Sequence, residues 1–481
     1  MDPEAQLRLI EWMCFLQKEL LGAKDVQPVT DLSAAKGVPL DVATLGIGSH
    51  GSAIRYTDVK GIFSSRSTPE PVSIVLKIHE DDDKIDNVPD YEIYVARLLS
   101  DLCRGSPLNV YQTSPHIVRV FGGMDAVWYV NGQKLVKRAM VMEPVTSPLD
   151  VSSLKDLLYA MRDSKEAWEN GWMRLILFQV IYTLAVWGPR FRHNDLTPMN
   201  VVLQALSHKR QRAGYAYALR LDEESILYFH TAAKRVMPFE VKIIDFGMAM
   251  DLGSTQAWSL PKLSKEAQEM LGIEPKPSSY VDLYSFLHTT YALSGFLESL
   301  DSRDEEGNVV QEPIFSASDP KPLDPKTNPE VRAFIDFMER YKIASMPRVA
   351  PHKVAKATGA KRLIRQWLPS AIQAKAEAPG SGGKVTDDYG STFTFVTPAQ
   401  ILQDTYFAPL RVDFPAFASQ DLEGKFYASL GASWDTSLGN APSALIMACP
   451  SHTKPQRKEC VSLDGRVFDS SLARPLQTSC V

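Results

Sequence analysis

Four short segments carry residue types that could do chemistry. Leu45-Gly46-Ile47-Gly48-Ser49-His50-Gly51-Ser52-Ala53 is a G-x-G-x-x-G run set in strand-forming sequence. Positions without side chains let backbone N–H groups approach phosphate oxygens, so anion binding is open to it, as is a plain glycine-rich hairpin with no ligand. Ile74-Val75-Leu76-Lys77-Ile78 places one ammonium in an otherwise apolar strand. Facing inward, that lysine must find an anion, and Glu92 is the candidate; facing outward, the strand is an edge and both charges are solvated. Further on, Phe191-Arg192-His193-Asn194-Asp195-Leu196-Thr197-Pro198-Met199-Asn200-Val201-Val202-Leu203 and Val241-Lys242-Ile243-Ile244-Asp245-Phe246-Gly247 set Asp, Asn and His beside apolar runs.

The elements that must hold these residues follow from periodicity. From 40 to about 100, short apolar runs with Gly and Pro punctuation predict a small sheet interrupted by one helix. That helix runs from Tyr91 to Leu102, with Val95, Leu98, Leu99 and Leu102 on one stripe that Glu92 begins. Ala53-Ile54-Arg55-Tyr56 reads as a strand returning from the glycines, which disfavours a dinucleotide site, where a helix would follow. A strand is expected over Leu135 to Val145. Trp172 to Leu184, apolar over much of its circumference, predicts a central helix; Leu283, Phe286 and Leu287 begin another, and Val331 to Tyr341 a third. A strand-rich part followed by a mainly helical one implies an α+β fold of two lobes.

Two segments read as insertions: 204–240, with the basic stretch His208 to Arg212 and an alternating Tyr215 to Leu221 that suggests a hairpin outside the core, and a mobile Gly-rich loop over 377–390. Gly380-Ser381-Gly382-Gly383-Lys384-Val385 lacks the leading glycine and the hydroxyl of a Walker A loop and reads as a linker. Residues 411–481 have few periodic runs and are assigned no fold; Phe414-Pro415-Ala416-Phe417 is treated as incidental spacing.

At 481 residues with 44% apolar and 23% charged side chains, the chain has ample material for a core. The net charge of −5 provides no field to hold nucleic acid. Five scattered cysteines suit a reducing, cytoplasmic compartment and argue against a disulfide framework or zinc site. Leu7 to Leu21 is apolar at helical spacing but interrupted by charges, so an amphipathic helix is expected there and no membrane span.

Taken in order, the glycine run, strand lysine, helix glutamate, H-N-D-L-x-x-x-N loop and D-F-G resemble the protein-kinase superfamily over about residues 41 to 410. Ala139-Met140-Val141-Met142-Glu143-Pro144-Val145 resembles the strand and hinge between kinase lobes, and Tyr280-Val281-Asp282-Leu283-Tyr284-Ser285-Phe286 the helix whose aspartate anchors the catalytic loop. Thr397-Pro398-Ala399-Gln400-Ile401-Leu402 through Tyr406-Phe407 is similar to the closing helix of that fold. The resemblance implies a helical extension over 1–40, a small β-rich lobe with one key helix and a hinge over 41–145, a larger mainly helical lobe over 146–410, and a tail over 411–481.

The resemblance also implies ATP and Mg2+ as cofactors. ATP would lie against Leu45, Gly46, Ile47, Gly48, Ser49, His50, Gly51, Ala53, Lys77, Glu92, Met142 (the gatekeeper position), Glu143 and Val145. Lys77 would hold phosphates and Glu92 orient it; Asn200 and Asp245 would bind magnesium; Asp195 would accept or orient the proton of the attacking hydroxyl, with Lys77 and Asn200 completing the catalytic set. His193 is expected to be structural. The acceptor implied is a protein serine or threonine, with no nucleic-acid partner.

Departures qualify the match. Asn194 stands where many protein kinases carry the arginine that pairs with a phosphorylated loop, so activity independent of such phosphorylation is expected. Thr197 replaces a lysine, and no A-P-E motif lies between Gly247 and Asp282. His193-Asn194-Asp195 also resembles choline kinases and aminoglycoside phosphotransferases, a small-molecule alternative, and a pseudokinase scaffold is a second. The divergent loops and large insertions are similar to those of kinases encoded by large DNA viruses such as iridoviruses.

Overall fold

Short apolar runs broken by turn residues build the first sheet, as the sequence predicts. The computed structural model describes residues 40–48, 51–58, 73–79, 89–101, 113–130, 133–188, 191–222, 224–231, 237–251, 278, 280–297, 299–303, 309–313, 320–343, 375–376, 378, 380–387, 390–420 and 425–429. The helix expected over Leu7 to Leu21, the glycine-run residues Ser49 and His50, and everything after 429 lie outside them.

Strands β1 (Leu40–Gly48), β2 (Gly51–Asp58), β3 (Ser73–His79), β4 (Val120–Val130) and β5 (Gln133–Met142) form an antiparallel sheet in the order β1-β2-β3-β5-β4. Helix α1 (Pro89–Asp101) starts with proline at its first position, where no N–H is lost, and packs against β4 and β5. Its buried side includes Ile93, Val95, Ala96 and Leu99, with Glu92 also fully buried. Arg97 donates to the Val120 carbonyl and ties the helix to β4.

Helices α2 (Leu154–Met161) and α3 (Lys165–Glu169) follow, each capped by a serine, Ser153 and Ser164. Helix α4 (Trp172–Trp187) is then buried on all sides from Met173 to Trp187, which is why its sequence is apolar over much of its circumference. After α4 come β6 (Phe191–Arg192), a 3-10 turn (Pro198–Asn200), β7 (Val201–Ala205), helix α5 (His208–Ala213), the hairpin β8 (Ala216–Arg220) and β9 (Ile226–His230), β10 (Phe239–Ile243) and β11 (Met250–Asp251). Helix α6 (Val281–Leu293), hairpin β12 (Ser299–Arg303) and β13 (Val309–Pro313), and helix α7 (Pro329–Arg340) lead to hairpin β14 (Lys384–Thr386) and β15 (Thr392–Thr394), helix α8 (Pro398–Ile401), β16 (Arg411–Val412), helix α9 (Phe414–Ala418) and β17 (Lys425–Ser429). The chain is of the α+β class, and among the described residues the part after 146 carries twelve short strands, β6 to β17, alongside its helices.

The expected outlying hairpin is instead core. Tyr217, Leu219 and Phe229 are fully buried, and Tyr217 meets Phe178 and Tyr182 of α4 at ring centroids 4.9 and 4.8 Å apart. Residues of β8 are buried on both faces because the opposite side, Ala216 and Ala218, is covered by Phe417. Phe417 thus anchors the segment that the sequence left without a fold: β16 pairs with β9, β17 runs parallel to β8, and Phe417 packs 4.8 Å from the Tyr228 ring. The supposed mobile loop over 377–390 contains β14, with Val385 buried and Gly383 at φ +78°, where a Cβ would collide with the Phe395 carbonyl. Gly380, Gly382 and Gly383 all take positive φ in the turns that lead into β14.

Phe417→Ala should therefore lower unfolding free energy by about 3 kcal/mol, the loss typical of a buried phenylalanine. Denaturant unfolding checks this, and an unchanged midpoint would place residues after 411 outside the folded unit.

Candidate active site

Lys77 is the convergence point of the predicted residues. On β3 it lies opposite Met140 of β5 and Ala53 of β2, and its Nζ donates to Glu92 Oε1 and to Asp245 Oδ1, each at 2.7 Å. The inward-facing reading of the strand lysine holds. Burial acts to lower the Lys77 pKa, but the Glu92 and Asp245 carboxylates outweigh it and leave the ammonium above the ordinary lysine value. Burial likewise acts to raise Glu92, whose side chain is 0% exposed, while Lys77 and His79 together hold its carboxyl down at about 2. Deleting one partner of so buried a pair typically costs about 3–5 kcal/mol.

A second group forms around the loop after β6. The Asp282 carboxylate, near the start of α6, accepts from the backbone N–H of His193 at 2.7 Å and of Asn194 at 2.9 Å, the anchoring expected of it. His193 is buried, its Nε2 2.9 Å from the Ile244 carbonyl, between Trp187 and Phe246; this is the structural position expected. Asn194 Nδ2 donates to the Met248 carbonyl at 2.8 Å. Asn200 Nδ2 donates to both the backbone oxygen and Oδ2 of Asp195, at 2.8 and 3.0 Å. The Asn200 carbonyl in turn accepts from Ile244 N–H at 3.0 Å, so the Asp195–Asn200 pair and Asp245 are held on neighbouring backbone.

Among the described residues only Asn194, Asp245 and Lys342 are non-glycines with positive φ. Two of these three sit in the site, at φ +61° and +63°. Backbone strain of this kind persists where surrounding bonds over-determine it, and it concentrates at functional sites. Here Asp282 and Met248 fix Asn194, and Lys77 fixes Asp245.

The remaining predicted residues are placed as follows. Leu45, Gly46, Ile47 and Gly48 end β1, Gly51 and Ala53 lie on β2, and Gly48 pairs with Gly51, so the glycine run is the tip of a hairpin. The chain returns from it directly as β2, the strand read from Ala53 to Tyr56. Leu45 is bulged and 49% exposed. Met142 ends β5 between Val75 and Val120, with Glu143 and Val145 partly buried just beyond. Glu143 is fixed twice, its N–H on the Arg119 carbonyl and its carboxylate receiving the Arg119 N–H, both at 2.9 Å.

Sequence reasoning missed His79. Its Nε2 lies 2.8 Å from Glu92 Oε2, and strand alternation, which puts 77 and 79 on one face, was the available signal.

No protein-family model and no curated protein matches the chain. No helix among the described residues is long and apolar enough to cross a membrane. Among the same residues, no group of three or more His, Cys, Asp or Glu side chains could hold a metal by itself.

Glu92 is held below its unfolded value, so its contribution to stability is present above about pH 5 and is lost as pH falls toward 2. Between about pH 5 and 3 the wild-type Tm should fall more steeply than that of Glu92→Gln, which has no proton to gain. Parallel curves would contradict the buried pair.

Proposed function

We propose that the chain is an ATP- and magnesium-dependent phosphotransferase of the protein-kinase kind, in which the β1–β5 sheet with α1 is the small lobe and the part built around α4 is the larger. Its acceptor is proposed to be a serine or threonine hydroxyl on a protein. The observation that carries this reading is the Lys77 ammonium, 2.7 Å from both a helix carboxylate and Asp245, a residue bonded through its neighbour Ile244 to the Asp195–Asn200 loop.

Phosphoryl transfer asks the protein for positioning and for cations against the phosphate oxygens. Lys77, fixed by Glu92, would meet the α and β phosphates, and the glycine hairpin would cover them with backbone N–H groups. Asn200 and Asp245 fit a magnesium ion by the chemistry of their donors. The two Asn200 Nδ2 bonds to Asp195 leave its amide oxygen to serve as ligand, and the Asp245 side chain is 37% exposed, so both offer hard oxygen donors and would leave other positions for phosphate and water. Bound there, magnesium would neutralise charge on the β and γ oxygens. Asp195 would accept the proton of the attacking hydroxyl as its oxygen bonds to the γ-phosphorus and the bond to the ADP oxygen breaks.

One observation favours a small-molecule acceptor instead. Asn194 Nδ2 is bonded to the Met248 carbonyl, its Oδ1 and the Thr197 hydroxyl are buried without a hydrogen-bond partner, and neither an amide nor a hydroxyl supplies the acceptor side with a cation.

Labelled ATP offered with casein, myelin basic protein, choline and an aminoglycoside separates these readings. Transfer to casein or myelin basic protein, reduced at least about 100-fold in Asp195→Asn, is the expected result. Transfer to choline or the aminoglycoside alone would replace the protein-acceptor reading. Equal signal from wild type and Asp195→Asn would remove the catalytic one.

A further inference from the structure

The Glu92 carboxylate has two oxygens, and Lys77 takes only one. Glu92 is fully buried, so its second oxygen must be satisfied by protein. His79, on the same face of β3 two residues beyond Lys77 and 3% exposed, meets it with Nε2 at 2.8 Å. The other ring nitrogen, Nδ1, lies 3.1 Å from the Arg138 carbonyl on β5. Both partners are acceptors only, so the ring serves both as donor when both nitrogens carry protons. The Lys77 ammonium and the His79 ring thus meet the Glu92 carboxylate one at each oxygen.

We infer that His79 is a positioning residue for Lys77, acting through Glu92. A carboxylate held at one oxygen can pivot about that contact. Held at both, by donors from one strand face, it is locked, and its Oε1 stays where Lys77 needs it. The imidazole also bridges α1 and β5, so the helix cannot shift from the sheet without breaking a buried bond. Among the described residues, the charged groups bonded within this cluster are Lys77, Glu92 and Asp245. Among the described residues, His79 is the donor that meets Oε2.

This inference rests on the phosphotransferase reading, because its readout is use of ATP. The test measures KM for ATP and kcat in wild type, His79→Leu, His79→Asn and His79→Gln. Glutamine can place an N–H near the Nε2 position; asparagine is too short and leucine has no donor. The expected result is a rise of about tenfold in KM for ATP in the leucine and asparagine variants with a smaller change in kcat, and recovery of most of that loss in the glutamine variant. A purely structural role would instead lower Tm in all three variants and leave KM unchanged in the folded protein. Unaltered KM in His79→Asn, in an enzyme whose wild type transfers phosphate, overturns the inference alone. A wild type without Asp195-dependent transfer overturns the reading beneath it as well. Should the leucine variant fail to fold, the asparagine and glutamine pair decides.

Discussion

A single ammonium joins the two halves of the site. Lys77 belongs to the sheet, Glu92 to the helix beside it, and Asp245 to a loop reached much later in the chain, yet both carboxylates lie 2.7 Å from one Nζ. A buried carboxylate without a cation would take up a proton, and a buried ammonium without carboxylates would shed one. Lys77 and Glu92 each keep their charge in a buried place because the other is present. This mutual dependence fixes the orientation of α1 against β3 and pins Asp245 in a left-handed backbone conformation that a side chain adopts at a cost.

The loop below is built by a different means. Asp282 spends both carboxylate oxygens on two successive backbone N–H groups, which holds the His193–Asn194 turn without any contact to the sheet. Charge-assisted bonds to backbone donors are among the stronger ones a protein can make, and this one lies largely out of water. Asn200 then orients Asp195, and the Asn200 carbonyl receives the N–H of Ile244. Two independently braced units, one anchored by Lys77 and one by Asp282, meet at the dipeptide Ile244-Asp245. Strand β10, which leads into that dipeptide, packs against α4 and pairs with β7, so a polar site rests on a rigid support.

Much of this was legible in the sequence because the signals were local. Lys77 in an apolar strand, Glu92 on a helical stripe and glycines between two strand-like runs each follow from a period of two or 3.6. What escaped was whatever depends on a distant partner. His79 reads as an ordinary strand residue until Glu92 is placed beside it. The alternation from Tyr215 to Leu221 suggests a hairpin outside the core, but its second face is covered by Phe417, whose spacing from Phe414 carries no strand or helix period. Strand β17 pairs in parallel with β8 from far along the chain, and nothing in either segment announces the other. Gly383 looked like linker sequence, whereas the Phe395 carbonyl leaves no room there for a side chain.

The claim that most needs measurement is that the Lys77–Glu92–Asp245 cluster receives nucleotide phosphates. Calorimetric titration of the full chain with ATP and magnesium, repeated with Lys77→Met, addresses it without reference to any acceptor. The account predicts one ATP per chain, bound at least about tenfold more weakly by the variant, since a charge contact of this kind contributes more than about 1.4 kcal/mol. Equal affinity in the two proteins, or no uptake of ATP by the wild type, would contradict it.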